Sequence, residues 1–422
     1  MHAMIPKRYF PFLILVGLIA GELIRWYAID TRPPAWDQSV HLQLALDYRD
    51  ALVHGTPVTT PWASVYPPFY HLSLIPALSL GTPSQGTAVA THLVYLLIFL
   101  WSLVQITRAL QLSTDCALLT ALFTLGCSHV LFVLRQALID FPLIVWVTLG
   151  MALLLRTHNF SNRRATVIWG IVSGLGLLLK LPYSFFFILP VLWSLRRGHF
   201  KNALWGFGAM MLVCGWWYVW QGPLFLQNAL GIAGERGAAE GDPGWNSLAG
   251  VLYYLRALPL QMGIGTLVLA SLGALLALLR KNVRVHSGLL VLWIFSGYLI
   301  LTFIHNKDYR YSLPFLPALI LVSVMGWNSL NREKILRGLG LAALGLFIWN
   351  ATHADLPRSE DWKHAELGRL FQQTHDVSQP FIFSQCALQS FLSFRTHTAL
   401  VPAGGGDSLG HLLCGRSAGG LH

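Results

Sequence analysis

The chain has 422 residues, 55% of them hydrophobic and only 11% charged, with a mean hydropathy of +0.55, whereas a soluble domain carries about 25% charged residues. A formal net charge of +11 raises nucleic acid as a partner. That class is excluded by distribution, because Lys and Arg sit in small groups between apolar runs and not on one amphipathic face with interleaved aromatics.

In chain order, apolar runs of about 18–20 residues recur, each enough to cross roughly 30 Å of hydrocarbon. They predict an all-α polytopic membrane protein with about eleven spans, near 10–29, 88–107, 115–133, 140–155, 165–180, 182–195, 202–220, 262–279, 287–304, 311–328 and 338–350. The first run is too long for a signal-peptide core of about 7–15 residues and is read as a retained span. Fifteen of the 29 basic residues then fall in short turns on one side: Lys7 and Arg8, Arg108, Arg156 to Arg164, Arg196 to Lys201, Arg280 to Arg284, and Arg332 to Arg337. Of the 18 acids, only Asp115 and Glu333 share that side, and Glu22 lies inside the first span beside Arg25. Basic bias marks the cytoplasmic face, so the acids face outward.

Three outer segments are longer than turns. The first, 30–88, holds Tyr66-Pro67-Pro68-Phe69-Tyr70-His71, where two prolines open an aromatic-rich helix expected to lie in the interface plane. The second, 221–261, holds the Gly-rich stretch Gly231 to Gly244, read as a mobile loop. The third, 351–422, is set apart from the transmembrane body (1–350) as a small extracytoplasmic α/β appendage, with a strand-like Phe381-Ile382-Phe383 and a poorly ordered Gly-rich end. Cys386 and Cys414 in that tail pair or stay as free thiols, and no cysteine spacing resembles a zinc site. No internal repeat and no pair of broken helices of the transporter kind is legible.

Ionisable residues cluster on the outer face. Asp37 lies eight residues past the first span, at the start of a predicted helix, with His41 one turn on. Arg135 and Asp140 flank the entry to the fourth span, Lys180 ends the fifth, and His305, Lys307, Asp308 and Arg310 join the ninth and tenth. Each acid reads equally as a helix N-cap, and each cation as a snorkelling side chain. Taken together, carboxylates able to act as a base and cations able to hold a departing phosphate are equipment for transfer from a phosphate-linked lipid. A soluble nucleotide donor has no phosphate-cradling glycine loop here.

In order and on one face, Asp37, Tyr66-Pro67-Pro68-Phe69-Tyr70, Arg135 with Asp140, Gly174 to Lys180, and Arg310-Tyr311-Ser312-Leu313-Pro314-Phe315-Leu316-Pro317 resemble a family. It is the GT-C membrane glycosyltransferases of the protein mannosyltransferase and aminoarabinose transferase type, and the resemblance covers about residues 10–330. It implies a polyprenyl-phosphate-sugar donor and inverting transfer on the outer face to a lipid, protein or polysaccharide. Asp37 matches the acidic residue that activates the acceptor and Asp140 the second acid. Lys180 and Arg310 match the donor-phosphate cations, joined here by Lys307, with His41, Arg135, Tyr66 and His305 as supporting candidates. The family's first motif has an acidic pair. Here it is Asp37-Gln38, which leaves a divalent metal unassigned. Short loops and a compact chain point to a bacterial inner membrane, with the site on the periplasmic side. The rival readings are a flippase of lipid-linked sugars and a non-catalytic scaffold with the same fold.

Overall fold

The computed structural model describes residues 9–30, 34, 36–58, 61–80 and 83–353. Among them every regular element is helical. The order is α1 (Phe10–Ile29), α2 (Trp36–His54), α3 (Phe69–Ser79), α4 (Gln85–Ala90), α5 (His92–Ala109), α6 (Thr114–Leu125), α7 (Ser128–Leu134), α8 (Asp140–Arg156) and α9 (Arg163–Leu179). There follow α10 (Ile188–Leu195), α11 (Phe200–Leu230), α12 (Gly237–Ala239), α13 (Leu248–Met262), α14 (Ile264–Leu279), α15 (Lys281–His286), α16 (Gly288–Phe303), α17 (Leu316–Asn328) and α18 (Glu333–His353). The appendage expected beyond 353, with Cys386 and Cys414, lies outside the described residues.

A helix or a run of helices occupies each of the eleven apolar segments. Among the described residues, five helices are long and apolar enough to cross a membrane alone, or up to seven if each of two bent pairs is one span. The other segments are shorter helices packed among neighbours. In α8 every residue from Asp140 to Leu154 is buried, and a helix that is apolar all round belongs in the core of the bundle. Small residues let helices approach where lipid supplies no hydrophobic drive. On α9, Gly170 and Gly174 lie against the backbone of α11 at Gly206 and Met210, and on α17 Gly326 lies against Gly273 of α14.

One helix break interrupts the expected span 115–133, and a second lies at the start of the expected span 262–279, where α13 occupies a segment read as outer loop. α6 and α7 meet at 79°, and α13 and α14 at 119°. The first break frees the Gly126 carbonyl, which accepts a hydrogen bond from Asn350 Nδ2 at 2.7 Å, as the lack of water in hydrocarbon demands. The second turns at Gly263, whose φ of +76° suits a residue without Cβ.

The second outer segment is more ordered than its glycines suggest. α11 continues ten residues past the expected end, into a π-helical turn, Gly231–Arg236. Ala233 O accepts from His305 N (2.9 Å) and Asn306 N (3.2 Å), and Gly237 is seated so closely on Asn306 that a Cβ would collide with its backbone. Gly237 serves this close approach, while Gly231, Gly234 and Gly241 face open space.

Candidate active site

Four segments distant in sequence converge at one end of the bundle. Asp37 stands in the first turn of α2 and Asp140 in the first turn of α8. Lys180 is the extended residue that ends α9 before Pro182, and Arg310 opens the 3-10 turn Tyr309–Phe315 that leads into α17. Arg310 Nη1 lies 2.9 Å from Asp37 Oδ2 and 3.6 Å from Asp140 Oδ2, while Lys180 Nζ donates to the other Asp140 oxygen at 2.9 Å. Asp308 holds Arg310 from behind, its Oδ2 2.6 Å from Nη2 and its Oδ1 accepting from Arg310 N at 2.8 Å. Lys180 also lies over the Tyr311 ring, 5.2 Å from its centre.

The four members differ in access. The Asp140 side chain is 2% exposed, against 18% for Lys180, 21% for Arg310 and 30% for Asp37. Asp140 is therefore a sealed anchor for two cations, and Asp37 is the carboxylate that a ligand can reach.

Behind Asp37, α2 is braced by amides. Gln38 Nε2 donates to Gln136 Oε1, and Gln38 Oε1 accepts from Gln85 Nε2 at 2.8 Å. The residue that departs from the acidic pair thus cross-links α2, α4 and the α7–α8 connection. Among the described residues no group of three or more His, Cys, Asp or Glu is placed to hold a metal ion.

His41, one turn beyond Asp37, is buried and its Nδ1 lies 3.0 Å from His71 Nε2 of α3. Tyr66 meets the His41 ring edge-on at 4.7 Å. Burial, reinforced by Lys180, draws the His41 pKa down to about 3, and burial beside His41 holds His71 well below its ordinary value. Both imidazoles are neutral at pH 7. Burial and the nearby Asp37 carboxylate raise the Tyr66 phenol.

Three expected residues are placed elsewhere. Arg135 is fully buried, with Nε and Nη2 on Glu22 Oε1 at 2.9 and 2.6 Å and Nη2 on Ala351 O at 2.7 Å. It knots α1 to the end of α18, and Arg25 joins the knot at 2.8 Å from Glu22. Lys307 donates to the Leu301 and Thr302 carbonyls, both at 2.8 Å, capping α16, and burial draws its pKa down to about 8. His305 Nε2 donates to Asp242 O at 2.8 Å, holding the second outer segment.

Two participants escape a sequence reading. His71 lies in an apolar run that hid it. Arg236 ends the π-helical turn within electrostatic reach of Asp37 and Tyr66, and is held by Glu240 at 2.8 Å; its glycine-rich surroundings looked like loop.

The described residues form the all-helical body of a polytopic membrane protein, with a cation-bridged acidic cluster at its helix ends. The structure is similar to that of ArnT from Cupriavidus metallidurans in the apo state, with a TM-score of 0.70 and 13% identity, covering 94% of this chain and 86% of that one. For ArnT from the same organism bound to undecaprenyl phosphate, the TM-score is 0.72 and the identity 13%, over 95% and 88% of the two chains. At that identity the likeness is one of fold. No protein-family model matches the sequence, and no curated protein matches it.

Proposed function

We propose that the chain is an inverting glycosyltransferase that moves a sugar from a polyprenyl-phosphate donor to an acceptor hydroxyl or amine on the outer face of a bacterial inner membrane. The observation that carries this is one guanidinium, Arg310, shared between an accessible carboxylate, Asp37, and a sealed one, Asp140, whose other oxygen holds Lys180. A donor phosphate entering between Lys180 and Arg310 competes with Asp37 for the same N–H and frees its carboxylate. Asp37 then takes the proton of the acceptor while the acceptor atom bonds to the anomeric carbon. The bond from that carbon to the phosphate oxygen breaks, its electron pair leaves on the phosphate, and Lys180 and Arg310 stabilise the charge. A single displacement inverts the anomeric centre.

In this reading Asp140 aligns the two cations, His41 and Tyr66 pack against each other one turn beyond Asp37, and the donor lipid lies under α3. Lys307, Arg135 and His305 keep structural roles. Residues 1–350 form the transferase body, with 351–422 appended to it. Support for the donor class comes from the fold shared with a protein crystallised with undecaprenyl phosphate. The test is Asp37→Asn in purified protein given lipid-linked sugars extracted from bacterial membranes, with release of polyprenyl phosphate read by mass spectrometry. Turnover is expected to fall about 10²–10⁴-fold with thermal stability retained. Near-wild-type turnover would remove Asp37 as the base.

A further inference from the structure

The resemblance to GT-C transferases raises a divalent cation as a partner of the outer carboxylates, and the residues that stand there decide whether one fits. Hard cations take oxygen ligands, commonly one or two carboxylates together with a substrate phosphate. Two features of this chain oppose that arrangement.

The first is the residue that follows Asp37. Adjacent positions on a helix do not face each other, and Gln38 is turned into the scaffold. Its Nε2 donates to Gln136 Oε1, its Oε1 accepts from Gln85 Nε2 at 2.8 Å, and the residue is 6% exposed. Both ends of the amide are thus spent on neighbouring helices. An amide donates and accepts at once, whereas an ionised carboxylate only accepts, so the exchange of acid for amide at this position suits bracing and not ligation.

The second is Arg310. Its Nη1 lies 2.9 Å from Asp37 Oδ2 and 3.6 Å from Asp140 Oδ2, in the place from which a metal ion would bridge the two acids. The neighbouring oxygens are also engaged by cationic residues. Asp140 Oδ1 holds Lys180 at 2.9 Å, and Asp308 meets Arg310 N through Oδ1 at 2.8 Å and Nη2 through Oδ2 at 2.6 Å. An ion placed between Asp37 and Asp140 would have to expel the guanidinium or lie against it, like charge against like. Lys180 and Arg310 together carry the charge of one divalent ion, and the guanidinium keeps its charge at every physiological pH.

We infer that Arg310 stands in the place of a divalent metal ion, so that this chain holds the donor phosphate without one. The inference rests on the donor reading given above and extends it to the source of the positive charge.

The test measures undecaprenyl phosphate binding to the purified full-length protein by native mass spectrometry, in EDTA and again in millimolar Mn²⁺ or Mg²⁺. Binding of Mn²⁺ itself is followed by electron paramagnetic resonance. Wild type is expected to bind the lipid within about twofold under all three conditions. R310A uncovers Asp37, Asp140 and Asp308 and should bind Mn²⁺ about tenfold more tightly than wild type, with R310Q carrying this arm if R310A fails to fold. Lipid binding that is lost in EDTA and restored by either ion overturns the inference and leaves the transfer reading to the Asp37→Asn assay. Equal Mn²⁺ affinity in the variant and wild type also overturns it, because Arg310 then guards no cation position. Failure of wild type to bind undecaprenyl phosphate under every condition overturns the donor reading, and this inference with it.

Discussion

Two buried or half-buried arginine–carboxylate knots among the described residues differ in how their carboxylates are held. At Glu22, two guanidinium groups and the Ala351 carbonyl surround the carboxylate, with Arg135 0% and Glu22 6% exposed and Arg25, at 36%, the member that reaches solvent. At Arg310 the carboxylates outnumber the cations that bind them, and three of the four principal side chains stay partly open. The same chemistry serves two ends. A closed ion pair fixes helices in place, and removing one partner strands a buried charge. An open one leaves a guanidinium that a phosphate can recruit.

The largest effect should come from breaking the closed knot. Arg135→Ala leaves Glu22 with Arg25 alone in a buried setting and should cost about 3–5 kcal/mol, seen as a large fall in thermal midpoint in detergent. If stability is unchanged, the two knots are not different in kind. Arg310→Ala should instead leave the fold intact and weaken undecaprenyl phosphate binding about a hundredfold, consistent with about 1.5–3 kcal/mol for a charge-assisted contact. Arg310→Lys should recover little, because a point charge cannot reach three carboxylates at once.

Lys307→Met sharpens the contrast on a smaller scale. It removes the cap on α16 and should lower stability by about 1–2 kcal/mol, while undecaprenyl phosphate binding stays within twofold. The smallest effect is on pH dependence. Because folding lowers the pKa of both His41 and His71, the stability that their neutral forms confer is complete above the unfolded value near 6.5. It declines as pH falls from there toward about 3, where His41 protonates in the fold. His71→Phe should flatten the thermal-midpoint profile across that window. A slope unchanged from wild type would remove the pair as its source.

Much of this plan was legible beforehand. Helices occupy each of the eleven apolar runs, since length and hydropathy are local properties, whereas α2 and α13 lie in the segments read as outer loops. Asp37, Asp140, Lys180 and Arg310 were recognisable because each breaks an otherwise apolar or positively biased pattern. Arg135 and Lys307 broke the pattern as well, yet their partners are a glutamate 113 residues away and a pair of backbone carbonyls. Composition carries no trace of such pairings. Gly231 to Gly244 misled for a related reason: the residue that permits flexible chain also permits a backbone to seat directly on another, and only the partner at 305–306 decides between them. His71 was hidden because a histidine in an aromatic helix carries no charge pattern.

The seat of Gly237 on Asn306 has a consequence for inheritance. The stretch 231–242 and the stretch 305–310 share carbonyl, amide and side-chain bonds across that contact, and the second of them ends at Arg310. A chimera that took either stretch alone from a distant homologue would break those bonds, so the two must be transplanted together, as one cassette.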